Sequence, residues 1–452
     1  MSIHISGIAG KGMAPAAGLA LTGGKRVTGD DLVENHRVAP LLAAGAQITV
    51  GKNIDPPLGS ELHVSSSLIP RGNINVPQRS RLGFVNDLMR EAANATLAIA
   101  GSVGKSSAAS IIWAAHRAIQ PACYIGADVP GTLCGGLYAT GTVAVVEADE
   151  YRDAYLDLAP ERVILLNVIP NHGDHFGSGT TGFSRSFTNW VKALNLKSEQ
   201  VLLSSTAAAE VTAAGLATPR TVVGDAPDTG AHWHVEVVSA MPSSSVFAIS
   251  RGKVRDKFRV PLTGKHSVLA AAYGVLAARG AGLSDRDIQS GLDTSQLPWR
   301  RQTLVHEGPQ VLVYDDNARL PEQFVVTIEG LRQRHPGYEI VAFISPWGRL
   351  NRRDIPAWAT AGTCADALVV LPVGDAGLSR GGAERDDADR QLVEATHALG
   401  GVAMTLSHWE ELPRPKNGTV YLTAGYDAQY TLFRRIHQYL QTQYPAKELG
   451  SC

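Results

Sequence analysis

Between the apolar run at residues 96–100 and a stretch with helical spacing stands Gly101-Ser102-Val103-Gly104-Lys105-Ser106-Ser107. A glycine-bounded turn that opens a helix gathers backbone N–H groups at the positive end of the helix dipole, where phosphate oxygens bind. Lys105 would add a mobile cation for the β- and γ-phosphates, and the Ser106 hydroxyl would ligate magnesium, as in phosphate loops generally. The common loop has a glycine six residues before the lysine, and Ile99 stands there instead. On its own, the segment also reads as a serine-capped turn between strand and helix.

A second apolar run, residues 142–146, ends in Glu147-Ala148-Asp149-Glu150. Acidic residues just past a parallel strand lie where such sheets bind ligands. Magnesium, which takes one or two carboxylates plus phosphates and water, suits Glu147 with help from Asp149 or Glu150. A third run, residues 163–166, leads through Asn167 to Asn171-His172-Gly173-Asp174-His175, placing imidazoles and a carboxamide past another strand end. A neutral imidazole there can ligate a metal or steer a carboxylate. Taken one at a time, a solvated acidic turn and surface histidines are the plainer readings.

The elements that must position these residues fall into three stretches, as expected for 452 residues, a length beyond which single cores stop growing. Residues 1–94 read as a strand at 3–6, a glycine turn, a helix over 13–21 and a strand at 26–28. Short β-like runs follow at 47–51 and 62–65, then a helix over 82–92. Residues 95–297 carry the phosphate loop with a helix from 105 to about 119, strands at 142–146 and 162–167, and a stretch from 201 to 262 that alternates like antiparallel strands. A helix over 267–279 closes this domain. Residues 298–452 alternate strands (311–314, 339–344, 367–371, 419–423) with helices (322–334, 390–399, 428–441), the pattern of a parallel sheet covered on both faces. The glycine-rich residues 374–382 read as a surface loop.

Composition sets bounds. Hydrophobic residues are 44% and charged ones 18% of the chain, ordinary soluble usage. A net charge of -1 gives no general attraction to nucleic acid or an acidic membrane. The expected partners are therefore small molecules, with no nucleic acid and no membrane. Cys123, Cys134, Cys364 and Cys452 have no zinc or disulfide spacing, and no basic-then-apolar leader opens the chain, so the expected compartment is the cytoplasm.

Taken together, the three central segments resemble those of the Mur ligase family, whose members show a short Gly-Thr-x-Gly-Lys-Thr loop, a strand ending in Glu-x-Asp-Glu, and an Asn-x-x-x-Asp-His-x-Asp segment. Gly7-Ile-Ala-Gly10-Lys11-Gly12-Met13, Thr28-Gly29-Asp30-Asp31 and Ser65-Ser66-Ser67 look like the UDP-sugar domain of the branch that joins UDP-N-acetylmuramate to L-alanine. The relative that attaches recycled murein tripeptide is similar too. The likeness continues through residues 261–267, Arg300-Arg301 and Asp315-Asp316. It implies an α/β chain of three domains: a Rossmann-like N-terminal one, a central P-loop ATPase-like one with antiparallel strands, and a Rossmann-like C-terminal one. It also implies ATP and Mg2+, with Gly101 to Ser107 on the nucleotide and Ser106, Glu147 and His172 at metal sites. Arg301 would reach the nucleotide and Asp315 would hold its ribose. The acid substrate would lie on Gly10, Lys11, Gly12, Met13, Asp31 and Ser66. The implied reaction activates a carboxylate as an acyl phosphate and couples it to an amine, in a monomer or homodimer.

The sequence departs from the family at three places. Ser267 and Ala270 replace asparagines expected near adenine, and a hydroxyl offers fewer hydrogen bonds than a carboxamide. The segments Asp315-Asp316-Asn317-Ala318-Arg319 and Ser345-Pro346-Trp347-Gly348-Arg349 lack the histidines and tyrosine usual where the amine binds. Arg319, Trp347, Arg349 and Arg352 would line a different acceptor pocket, and arginines suit an acceptor bearing its own carboxylate. Asn171, Gly173 and Tyr151-Arg152 are smaller changes around the metal site. The acid is left open between a UDP-sugar and another carboxylate, and the role between cell-wall synthesis and something else. A nucleotide-binding regulator without amide formation is the alternative. A nicotinamide dehydrogenase fails on glycine order, since the turn runs Gly7-x-x-Gly10-x-Gly12 rather than Gly-x-Gly-x-x-Gly.

Overall fold

The computed structural model describes the chain except for residues 53, 66–74, 218–219, 226–229, 346–353, 372–381, 407–410, 416–417, 426–429 and 447–452, and the side chains of 345, 382–387 and 430–431. It is an α/β structure with three sheets.

The first sheet contains β1 (Ser2–Ser6), β2 (Arg26–Asp31), β3 (Gln47–Val50), β4 (Leu62–Ser65) and β5 (Gln78–Ser80), all parallel in the order β3-β2-β1-β4-β5. Strand alternation gives it two unlike faces. Ile3, Ile5, Val27 and Val64 join one core with Leu19 of the helix Met13–Thr22 and Phe84 and Leu88 of the helix Arg81–Ala92. The other face is polar where it is most buried: His4 and Asp30 are 0% exposed and His63 3%. Buried polar groups need partners, and these largely bond one another: His4 Nε2 meets Asp30 Oδ1 at 3.0 Å, Ser6 Oγ donates to the same oxygen at 3.0 Å, and Ser6 Oγ meets His63 Nε2 at 3.0 Å.

The second sheet contains β6 (Ala95–Ala100), β7 (Ala122–Tyr124), β8 (Gly136–Leu137), β9 (Val143–Glu147), β10 (Arg162–Leu165), β11 (Val201–Ser204), β12 (Thr221–Gly224), β13 (Trp233–Met241), β14 (Ser244–Arg251) and β15 (Val254–Val260). Their order is β15-β14-β13-β12-β11-β10-β6-β9-β7-β8. The strands that carry the chemistry, β10, β6 and β9, are adjacent and parallel. Their side chains are small and apolar, as fits strands buried on both faces, and the alanine-rich helix Lys105–Ala115 packs on them.

The stretch 201–262 departs from the alternation expected of it. Residues Ser205–Ala213 form a helix, β11 and β12 are parallel, and β14 and β15 are antiparallel. The helix is short and rich in alanine, so its sequence carries little periodicity. The helix expected to run to about 119 stops at Ala115, and a 3-10 turn, Arg117–Ile119, follows. The amphipathic helix Thr181–Leu194 has no counterpart in the sequence reading.

The third sheet contains β16 (Thr303–Gly308), β17 (Val311–Asp316), β18 (Glu339–Ser345), β19 (Ala367–Val370), β20 (Ala403–Thr405) and β21 (Thr419–Gly425), in the order β16-β17-β21-β18-β19-β20. It is parallel except for the antiparallel edge strand β16. Apolar clusters lie on both faces. The glycine-rich loop expected at 374–382 lies outside the described residues up to Gly382, which begins the helix Gly382–Ala398.

The chain forms two compact units. One holds the first two sheets apart from Ala240–Ser243; the other holds Ala240–Ser243, Thr263–Lys265 and the chain from Trp299, with the third sheet. Within the first unit, Arg37 grips both oxygens of Asp128, Nε to Oδ1 at 3.0 Å and Nη2 to Oδ2 at 2.9 Å, and His36 Nε2 adds a contact at 3.0 Å. Burial works to raise the Asp128 carboxyl, but the hydrogen bond from His36 and the Arg37 guanidinium outweigh it and hold it below the usual carboxylate range. A carboxyl depressed in the fold contributes stability above its unfolded value and loses it as pH falls through the folded one. Asp128→Asn is therefore expected to cost about 2 kcal/mol at pH 7. The cost should shrink as pH falls below about 4, read from denaturant midpoints at several pH values. No helix among the described residues is long and apolar enough to cross a membrane.

Candidate functional site

The phosphate loop leaves β6 at Gly101 and enters the helix Lys105–Ala115 through Gly104, which caps it at φ 80°. That left-handed backbone favours glycine, and it turns the first amides of the helix, which have no partner within it, out of the strand end. The loop is pinned from β10: Val103 N donates to Asn167 Oδ1 at 3.0 Å, Asn167 Nδ2 donates back to Val103 O at 3.0 Å, and Ser102 Oγ donates to Ile169 O at 2.8 Å. Asn171 lies on the same loop, its Nδ2 3.5 Å from Ser102 O.

The sequence treated Glu147, Asp149 and Glu150 as one acidic cluster, and the fold gives each a separate partner. Glu147, at the end of β9, accepts from Ser106 Oγ at 3.0 Å and from Gly126 N at 2.7 Å. Asp149 pairs with Arg81. Burial would raise its carboxyl, but Arg81 and Lys105 together pull it down to about 2. Glu150 is 2% exposed and lies between Lys105 Nζ at 2.6 Å and His172 Nε2 at 3.4 Å. Lys105 Nζ also donates to Gly101 O at 2.6 Å, so the cation folds back over its own loop.

His172 stands at φ 52°, an uncommon backbone for a residue other than glycine and of the kind found at functional sites. Tyr151 packs tilted against its ring with centroids 4.8 Å apart, and the Tyr151 hydroxyl donates to Asp174 Oδ2 at 3.3 Å. With Glu150 on the Nε2 side, the favoured tautomer carries its proton there and leaves the Nδ1 lone pair. That Nδ1 is buried without a hydrogen-bond partner. An imidazole oriented by a carboxylate on one nitrogen and open on the other is the arrangement of a metal ligand.

Magnesium fits the adjacent hard oxygens Ser106 Oγ and Glu147 Oε1, and His172 Nδ1 offers a buried lone pair with no hydrogen-bond partner. Mg2+ completes its shell from phosphates and water in such sites.

The turn expected to meet the acid follows β1 of the first sheet. Ala9 N donates to Asp31 Oδ2 at 2.9 Å, Tyr124 OH donates to Gly12 O at 2.9 Å, and Gly10, Lys11, Gly12 and Met13 lead into the helix Met13–Thr22. Ser66 lies outside the described residues, as do Trp347, Arg349 and Arg352. Ser107 is buried in the first turn of its helix. Ser267 is 0% exposed and its hydroxyl has no hydrogen-bond partner.

Asp315 lies in the second unit. It is fully buried, accepting from Arg300 Nε at 2.7 Å and Thr423 Oγ1 at 2.9 Å. A carboxylate so enclosed helps hold the framework. Its neighbour Asp316 is pushed up by burial to about 6, although Arg301 pulls it down. Arg301 is half-buried, with Nη1 donating to Arg300 O at 3.0 Å. Arg319 is half-buried ahead of the helix Pro321–Arg334, its backbone N donating to Gln323 Oε1 at 2.9 Å.

Sequence reasoning missed two residues of this site. Asn167 was read only as a strand end, though a carboxamide there can both give and accept. Arg81 was not singled out, although a cation in the first turn of a helix is out of place electrostatically.

A family model described as "Mur ligase family, catalytic domain" matches residues 2–99. The UDP-N-acetylmuramate–L-alanine ligase of Salinispora arenicola is 28% identical over 442 residues, covering 94% of this chain and 85% of that protein. In fold, the crystal structure of the UDP-N-acetylmuramate–alanine ligase of Thermotoga maritima matches with a TM-score of 0.78 at 20% identity, covering 98% of this chain and 100% of that one. The murein peptide ligase of Psychrobacter arcticus matches with a TM-score of 0.66 at 20% identity, covering 97% and 98%.

Proposed function

We propose that the chain is a member of the Mur ligase family and, from that premise, an ATP- and Mg2+-dependent ligase that joins a carboxylate to an amine. The observation that carries this reading is the division of the acidic run around the phosphate loop: Glu147 on Ser106, Glu150 between Lys105 and His172. A module that only bound nucleotide would not need both a metal set and a lysine held ready.

In the proposed reaction an oxygen of the acid's carboxylate attacks the γ-phosphorus and the bond to ADP breaks, leaving an acyl phosphate. The amine nitrogen then adds to the acyl carbon, and the tetrahedral intermediate expels phosphate as the nitrogen loses its proton. Phosphoryl transfer needs positioning and charge neutralisation more than covalent help. Lys105 is proposed to exchange Gly101 O and Glu150 for the β- and γ-phosphates, with the amides of residues 104–106 on the same oxygens. Ser106, Glu147 and His172 would hold Mg2+, which supplies charge to the phosphates. Arg301 is proposed as a further cation for the nucleotide. Asp315 is proposed for the ribose and Ser267 for the adenine, as the family resemblance implies; both are buried, as are Ser106 and Glu147.

The proposed division of labour is residues 1–94 for the acid, 95–297 for ATP and 298–452 for the amine. The acid is proposed to meet Gly10, Lys11, Gly12, Met13 and Asp31. A UDP-N-acetylmuramate-like acid is the first to test, because the relatives are named for it. An acceptor with its own carboxylate remains the proposal for the third domain, in the cytoplasm where ATP is present.

The test incubates the protein with ATP, Mg2+, a panel of carboxylates and a panel of amino acids, and follows phosphate. Release that requires one acid and one amine supports the ligase. ATP binding without turnover across the panel would overturn it. Glu147→Gln, which keeps the shape and removes the charge, is expected to raise the Mg2+ concentration for half-maximal turnover by about 10–100-fold. An unchanged requirement would remove Glu147 from the metal site.

A further inference from the structure

Arg81 opens the helix Arg81–Ala92 behind its N-cap Ser80, and that helix has no acidic residue in its first turn to offset it. The dipole there favours anions over cations, so the position has to be explained by what the side chain reaches. On one side the guanidinium lies across the acid-side turn: a Cβ built on Gly12 would fall 1.6 Å from Nη1 and 2.7 Å from Cζ. Gly12 has φ −92°, open to any residue, so it is the guanidinium that occupies the space a side chain would take. Tyr124, from β7, holds the same turn through Gly12 O at 2.9 Å. On its other side Arg81 Nη2 pairs with Asp149. Asp149 lies between Glu147, which contacts Ser106, and Glu150, which contacts Lys105. One guanidinium therefore touches both the turn proposed for the acid and the acidic run proposed for the nucleotide.

We propose that Arg81 is a positioning residue that couples the two binding events, so that filling the phosphate loop resets the glycine turn for the anionic acid substrate. The inference rests on the nucleotide reading of residues 101–107. When phosphates draw Lys105 away from Glu150, the acidic run loses a counter-charge and shifts. Asp149 carries that shift to Arg81, and Arg81 to Gly12. Linkage requires the reverse as well: acid bound at the turn changes nucleotide affinity by the same factor.

Hydrogen exchange of the full chain with and without MgADP reads this coupling and needs no knowledge of the acid. In the parent, MgADP is expected to slow exchange at residues 101–107 and also to change it at residues 7–13. Arg81→Gln should keep the first effect and lose the second, with Arg81→Lys restoring part of it. A merely structural role would instead speed exchange at 7–13 in both states and leave the nucleotide-dependent difference intact, which would overturn the proposal. Protection at 101–107 alone in the parent would overturn the coupling but not the nucleotide site. No protection at either would overturn the phosphate-loop reading and the coupling with it. If Arg81→Gln does not fold, Gly12→Ala serves: alanine suits the backbone, displaces the guanidinium and should abolish the same difference.

Discussion

Lys105→Ala is expected to lower acid-dependent ATP turnover by about 10³-fold, the scale on which removing one preorganised charge-stabilising group acts, with little change in thermal stability. In the structure the Lys105 ammonium is held by Gly101 O at 2.6 Å and Glu150 at 2.6 Å, contacts that a phosphate would replace. Alanine leaves the loop intact, because its shape is set by Gly104 at φ 80° and by the Asn167 clamp. It also leaves Glu150 facing His172 without its main counter-charge, a local cost too small to unfold the chain. Steady-state phosphate release and a melting curve on the same preparation check both halves. Turnover within about tenfold of the parent would take Lys105 out of the transition state.

The second large effect is on stability. Asp315→Ala is expected to destabilise the unit that begins at Trp299 by about 3–5 kcal/mol, because removing one member of a buried ion pair strands the other. Arg300 is 1% exposed and Asp315 0%. Thr423 Oγ1 donates to Asp315 Oδ1 and meets His437 Nε2 at 2.8 Å. The His437 imidazole is pushed down to about 4 by burial and by Arg300, so it stays neutral at pH 7 and cannot compensate the lost carboxylate. For a unit of this size the loss corresponds to a drop of about 10 °C in Tm. A carboxylate serving only a ribose would behave differently: the same substitution would raise the KM for ATP and leave the melting temperature unchanged.

The central site was legible in the sequence because it sits at strand ends, where residue type follows chemistry more than packing. Gly101 to Ser107, Glu147 and His172 were all named from their places after apolar runs, and the fold brings them together around one turn. Contacts across the chain were not legible. Glu147, Asp149 and Glu150 are adjacent in sequence, yet Ser106, Arg81 and Lys105 divide them only once β6, β9 and the helix at Arg81 are in place. Asp315 illustrates the same limit: two aspartates end β17, and which one is enclosed depends on Arg300, fifteen positions earlier. Ser267 was assigned by its place in a motif, while its burial follows from the alanine-rich helix Lys105–Ala115 and the helix Lys265–Gly280 sharing one core. The helix Ser205–Ala213 was lost because four of its nine residues are alanine, which marks neither a helical stripe nor a strand alternation.

Isotope transfer tests the central claim most directly. The acid that supports turnover is labelled with 18O in its carboxylate, and the protein is given ATP, Mg2+ and the amine. If the carboxylate oxygen attacks the γ-phosphorus and later leaves with it, the released phosphate carries one 18O for each amide formed, and the nucleotide product is ADP. Unlabelled phosphate, or AMP with pyrophosphate in place of ADP, would contradict the acyl-phosphate ligase.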